Sequence, residues 1–116
     1  MSKRDIIQLS EFDITQKIIE SLSNVCTRSV LFSVKNESKD VTQIANELKI
    51  SLSTVYKTLS TLEDLALAEI DRYVISPEGK KIKLYRSRIG KVEITLDDLE
   101  PTLILHSNDY NHKTSN

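Results

Sequence analysis

Residues 51–67, SLSTVYKTLSTLEDLAL, carry Val55, Leu59, Leu62 and Ala66 at steps of four, three and four, an apolar stripe at helical period. Ser53, Tyr56, Lys57 and Ser60 fall between these positions and point away from the stripe. Ser51 stands where an N-cap belongs, able to accept from a free backbone N–H of the first turn. Immediately upstream, VTQIANELKI (41–50) repeats the pattern more briefly, with Val41, Ile44, Ala45 and Leu48 at i, i+3, i+4 and i+7. Earlier in the chain, Ile14, Ile18, Leu22 and Val25 keep helical spacing with Phe12 and Ile19 alongside, opened by a Ser10/Asp13 capping arrangement and ended at Asn24. A further helix runs from Thr27 to Lys35 and buries Val30, Leu31 and Val34. NESKD (36–40) is the connecting loop, with Asp40 or Val41 just before a cap region at Thr42.

Past Leu67 the period changes from 3.6 to 2. Ile70, Arg72 and Val74 alternate with Asp71, Tyr73 and Ile75. Ser76-Pro77-Glu78-Gly79 has proline at the second turn position and glycine at the fourth, the signature of a type I turn. Lys81 to Tyr85 alternate again with Ile82 and Leu84 inward, completing a hairpin. Arg88 to Gly90 make a corner, and Val92, Ile94 and Leu96 form a further strand. Asp97-Asp98 turns the chain into a short last strand from Thr102 to Leu105, with Pro101 at its start where a missing N–H is tolerated. Two helices joined by a tight polar connection, the second presenting small hydrogen-bonding residues, are the layout of a helix-turn-helix over 41–67. A hairpin directly after it, over 68–87, is a wing. The expected fold is therefore α+β: a winged helix-turn-helix with an extra N-terminal helix and a C-terminal β-hairpin (91–106), in one domain over 10–106. Residues 1–9 are expected to fray and 107–116 to form a disordered polar tail.

Composition changes this picture little; charge distribution changes it more. Apolar residues at 39% and charged residues at 28% suit an ordinary soluble chain, and no apolar run reaches the ~18–20 residues that span a bilayer. The N-terminus lacks the long apolar core of a secretory signal, and the lone Cys26 cannot form an internal disulfide, which fits a reducing cytoplasm. Net charge is −1, yet residues 72–91 hold Arg72, Lys80, Lys81, Lys83, Arg86, Arg88 and Lys91 against Glu78 alone. Residues 92–116 reverse the sign, with Glu93, Asp97, Asp98, Glu100 and Asp109 against Lys113. A basic strip beside a helix pair is what phosphate contacts need.

VTQIANELKISLSTVYKTLSTLEDLALAEI (41–70) resembles the winged helix-turn-helix transcription regulators of the ArsR/MarR type, in a form common among archaeal regulators, and the resemblance extends over about residues 25–87. Lys49 stands where that family usually has a glycine in the turn. STVYKTL (53–59) is also similar to ferric-uptake-type regulators, but the His- and Cys-rich second domain of those proteins has no counterpart. Neither the cysteine pair nor the C-terminal His/Asp/Glu cluster of arsenic-type sensors is present, so metal sensing is not supported.

The resemblance implies double-stranded DNA as partner. The front half of the 51–67 helix would enter the major groove, with Ser51, Ser53, Thr54, Tyr56, Lys57 and Ser60 as DNA-binding candidates. Each has a plainer role: a cap for Ser51, a packed helix position for Thr54, an exposed face for Tyr56 and Lys57. Lys80, Lys81 and Lys83 on the wing would meet phosphates and set affinity rather than sequence choice. Cys26 reads as a small core residue, and His106 and His112 do not make a metal pair. No nucleophile–base pair, Gly-rich phosphate loop or zinc spacing occurs, so no enzyme, cofactor or metal is expected. Because one winged helix reads few base pairs, a homodimer is expected, with Phe12, Ile14, Ile18, Ile19 and Leu22 lining its interface; no effector is identified. The competing reading is a winged-helix protein–protein interaction module in a transcription or replication assembly.

Overall fold

The computed structural model describes residues 11–109. Four helices are followed by four strands: α1 (Glu11–Ser23), α2 (Val25–Ser33), α3 (Val41–Leu48), α4 (Leu52–Asp64), β1 (Ala68–Ile75), β2 (Lys81–Ser87), β3 (Ile89–Thr95) and β4 (Thr102–Ser107). This is the α+β winged helix-turn-helix expected from the periodicity. The helical boundaries follow from side chains that satisfy free backbone groups. Asn24 separates α1 from α2, but as the N-cap of the second: its Oδ1 accepts from Thr27 N–H at 3.0 Å. The Arg28 guanidinium reaches back to donate to the Leu22 and Ser23 carbonyls at the end of α1. Before α3 the cap is Asp40 rather than the Thr42 region, because Asp40 and Gln43 form a reciprocal capping box.

The core gathers Val30, Leu31, Val34, Ile44, Val55, Leu59, Leu62 and Leu67, all essentially sealed from solvent. Ile18 and Leu22 join it, at 5% and 4% exposure. The α1 stripe thus packs on the chain's own α2 through these two residues. Ala66 also departs from expectation, since the helix ends before it. Ala66 adopts a left-handed φ of 61°, with its N–H on Glu63 O (2.9 Å) and Leu67 N–H on Leu62 O (2.8 Å), a Schellman end.

β1 and β2 pair antiparallel from Ala68↔Ser87 to Ile75↔Lys81, with a bulge between Ile70 and Arg72. The Ser76–Gly79 turn closes through Gly79 N–H to Ser76 O at 2.8 Å. Lys39 and Tyr85 exchange both backbone bonds (3.1 and 2.8 Å), pinning β2 to the loop ahead of α3. The chain bends at Arg88, and Ile89 and Gly90 belong to β3 rather than to a corner. β3 and β4 make a separate antiparallel sheet, running from Ile89↔Ser107 to Thr95↔Thr102. Gly90 lies so close to β4 that a Cβ would sit 3.3 Å from Ser107 O. Leu96, expected in the strand, lies beyond it and is exposed.

Ser107 and Asn108, expected in the polar tail, are placed in the fold. Ser107 completes β4, and the Asn108 side-chain amide donates to Lys35 O (2.8 Å) and Ser87 O (2.9 Å). The fraying expected over 1–9, the Ser10 cap and the tail from residue 110 lie outside the described residues.

Candidate nucleic-acid interface

The connection between α3 and α4 is tight because Lys49 takes a left-handed φ of 59°, letting Ile50 N–H reach Ala45 O at 3.1 Å. Ser51 then caps α4, accepting from Thr54 N–H at 3.2 Å, while its hydroxyl donates to Thr54 Oγ1 at 2.9 Å and lies 3.1 Å from Ser53 Oγ. The hydroxyls of Ser51, Ser53 and Thr54 thus form one cluster at the positive end of the helix dipole. Val55, Leu59 and Leu62 hold the opposite face in the core, which leaves Ser53, Tyr56, Lys57 and Ser60 exposed and Thr54 half-buried.

The seven cations of 72–91 do not all face solvent. Arg86 turns inward, with a side chain only 11% exposed, and bonds Glu69 at 2.8 Å; Arg88 approaches the same carboxylate at 3.7 Å. Arg72 pairs with Asp71 at 2.6 Å, and that carboxylate also accepts from Ser38 Oγ at 2.6 Å. Arg86 and Arg88 thus share Glu69 at the root of the wing, while Arg72 stays exposed beside Asp71. Lys80, Lys81 and Lys83 remain at its tip and return strand, with Lys81 Nζ 4.6 Å from the centre of the Tyr73 ring. All three lysines line one groove of about 430 Å³ whose other walls are Asp40, Val41, Thr42, Tyr56, Ile82 and Tyr85. Burial raises the Tyr85 phenol above its ordinary value, helped by the nearby Glu63 carboxylate and the Tyr56 and Tyr73 hydroxyls. Tyr85 is therefore a neutral floor beneath a cationic rim.

Of the α4 candidates the groove brings only Tyr56 together with the three wing lysines; Ser51, Ser53, Thr54, Lys57 and Ser60 stand on the same helix outside its lining. Sequence reasoning missed Thr42, which stands exposed at the start of α3 and faces the lysines. Its signal was the Asp40–Gln43 capping box, which puts Thr42 in the first turn, where backbone N–H groups are free. Among the described residues no three His, Cys, Asp or Glu side chains converge to hold a metal ion. Nor is any described helix long and apolar enough to cross a membrane.

Residues 28–69, which hold α3, α4 and the start of the wing, match the family described as bacterial regulatory protein, arsR family. An uncharacterized HTH-type transcriptional regulator of Methanocaldococcus jannaschii is 33% identical over 66 residues, spanning 57% of this chain and 70% of that protein. The chain belongs to the ArsR-type helix-turn-helix transcriptional regulators. Members of this group are regulators rather than a class of enzyme, and DNA binding is the activity that membership carries. In this ArsR-type regulator the matched segment stops two residues into β1. The lysine-bearing tip and the β3–β4 hairpin are thus features of the chain that the family match does not cover.

Proposed function

We infer that the protein is a sequence-specific DNA-binding transcriptional regulator that acts as a homodimer in the cytoplasm. On this reading the front of α4 enters the major groove. Ser51, Ser53, Thr54, Tyr56, Lys57 and Ser60 meet base edges or the adjacent backbone, and Lys80, Lys81 and Lys83 take the flanking phosphates. What supports it is a single juxtaposition: Tyr56 of α4 and all three wing lysines border the same groove. Ser51 acts first as the helix cap, since its oxygen is engaged by Thr54 N–H. Of the α1 residues expected at a dimer interface, Ile14 is exposed and Ile19 half-buried, while the Phe12 side chain is outside the described set.

The test is binding of duplexes selected from a random pool, followed by anisotropy against salt. With about 6–10 phosphate contacts per dimer, affinity should fall roughly 10³–10⁵-fold between 50 and 200 mM salt. Replacing Lys80, Lys81 and Lys83 together with glutamate should abolish binding. A flat salt response, or full binding by the triple variant, would overturn the reading. The interaction-module reading draws on one observation, the exposure of Leu52 at the front of α4; under it, partner binding survives the charge reversal.

A further inference from the structure

The β3–β4 hairpin has two unlike faces. Register pairs Val92 with Leu105 and Ile94 with Leu103, giving one apolar face; Val92 and Ile94 line a groove with Leu22 and Phe32, so this face turns toward α1 and α2. The other face carries Lys91, Glu93, Thr95, Thr102 and His106, with His106 bonded to Glu93. Ile104 sits in the middle of this polar face and is 47% exposed. Among the described residues no packing accounts for an isoleucine there.

The edges differ as well. β3 carries Lys91 and Glu93, charges of the kind that discourage strand addition. β4 reads Thr-Leu-Ile-Leu-His-Ser, with no lysine, no carboxylate and no proline within it. Among the described residues no strand other than β3 pairs with β4. A two-stranded hairpin is marginal alone, and an exposed apolar edge is a template for a further strand.

We propose that β4 pairs antiparallel with β4 of a second copy of this chain, the two-fold axis passing beside Ile104, to form a four-stranded sheet β3-β4-β4-β3. The proposal rests on the homodimer reading and assigns it an interface other than α1, whose Ile18 and Leu22 are spent in the core. Centring the axis on Ile104 sets the two isoleucines against each other. It also brings Leu103 of each copy opposite Leu105 of the other, so the apolar faces join on one side, as an isologous contact requires. Charge agrees with the antiparallel sense. The acidic turn of one copy (Asp97, Asp98, Glu100) comes to the same end of the sheet as the partner's hairpin root, where Arg88 and Lys91 stand.

The test is molar mass by light scattering at micromolar concentration, with far-UV circular dichroism to confirm folding. Wild type should have dimer mass. Ile104→Lys and Ile104→Glu should each show half that mass, because like charges then face each other across the axis, and mixing the two variants should restore the dimer. Ile14→Lys should remain dimeric. A wild-type dimer that persists in both Ile104 variants, or that falls apart only with Ile14→Lys, overturns the β4 interface and leaves the homodimer reading standing. A wild type of monomer mass removes both.

Discussion

Ala66→Gly tests whether backbone conformation at the end of α4, rather than side-chain packing, governs stability there. Ala66 is exposed and holds φ at 61° while its N–H and that of Leu67 close the Schellman end on Glu63 and Leu62. A left-handed conformation costs an L-residue roughly 1–2 kcal/mol, and glycine removes most of that. Glycine also loosens the unfolded chain, which takes back about 0.4–1 kcal/mol. The two terms leave a net gain of up to about 1.5 kcal/mol, centred on about 0.8. For a domain of this size that raises the melting temperature by about 2–8 °C. The same chemical change at Ala45, buried in right-handed α3, is the control. It should cost about 1.5–2 kcal/mol, from helix propensity and a lost buried methyl. Thermal unfolding followed at 222 nm, with all three proteins at one concentration, reads both. If Ala66→Gly melts at or below the wild-type temperature, relief of the left-handed strain is not the governing term.

Removing the Glu69 carboxylate by Ala substitution leaves the inward-facing Arg86, whose buried Nη1 already has no hydrogen-bond partner among the described residues, uncompensated. Because Glu69 is itself partly exposed, the loss should be about 1–3 kcal/mol in urea unfolding, with the wing the first element to lose amide protection. Asn108→Ala deletes the two amide bonds that tie β4 to Lys35 and Ser87. It should cost about 1–3 kcal/mol and speed proteolysis of the C-terminal hairpin. Tyr85→Phe bears on alkaline unfolding. The folded-state phenol is raised, so the stability it gives is intact below the ordinary tyrosine value of about 10 and is lost as pH climbs through the higher folded value. A melting series from pH 8 to 11.5 should therefore show wild type losing stability at the alkaline end more steeply than the phenylalanine variant.

The helices were legible because their stripes are regular and their caps are local. Val55, Leu59 and Leu62 announce which face of α4 is buried, and Ser51 announces where it starts. The wing was legible from Pro77 and Gly79, whose backbone preferences name the turn. What the sequence hid depends on long-range partners. Arg86 looks like one more wing cation until β1 brings Glu69 against it, 17 residues away in the chain. Ile18 and Leu22 look like spare apolar surface until α2 folds back on them. Asn108 reads as part of a polar tail, yet its partner Lys35 is 73 residues distant. The α4 candidate residues were visible as the polar complement of the stripe. Thr42 was not, because its place beside the lysines depends on how the wing packs over the start of α3.

The two small sheets share no ladder, and this gives the molecule two independent alternations of side chains separated at Arg88. A single residue inserted at that bend would invert every side chain of β3 and β4 relative to the helices. It would leave Lys80 to Tyr85 where they are, because their placement is fixed by Lys39 and β1. Alternation in the trailing hairpin is therefore set by its own pairing and by Ile89 and Asn108 at its root, not by the register of the wing.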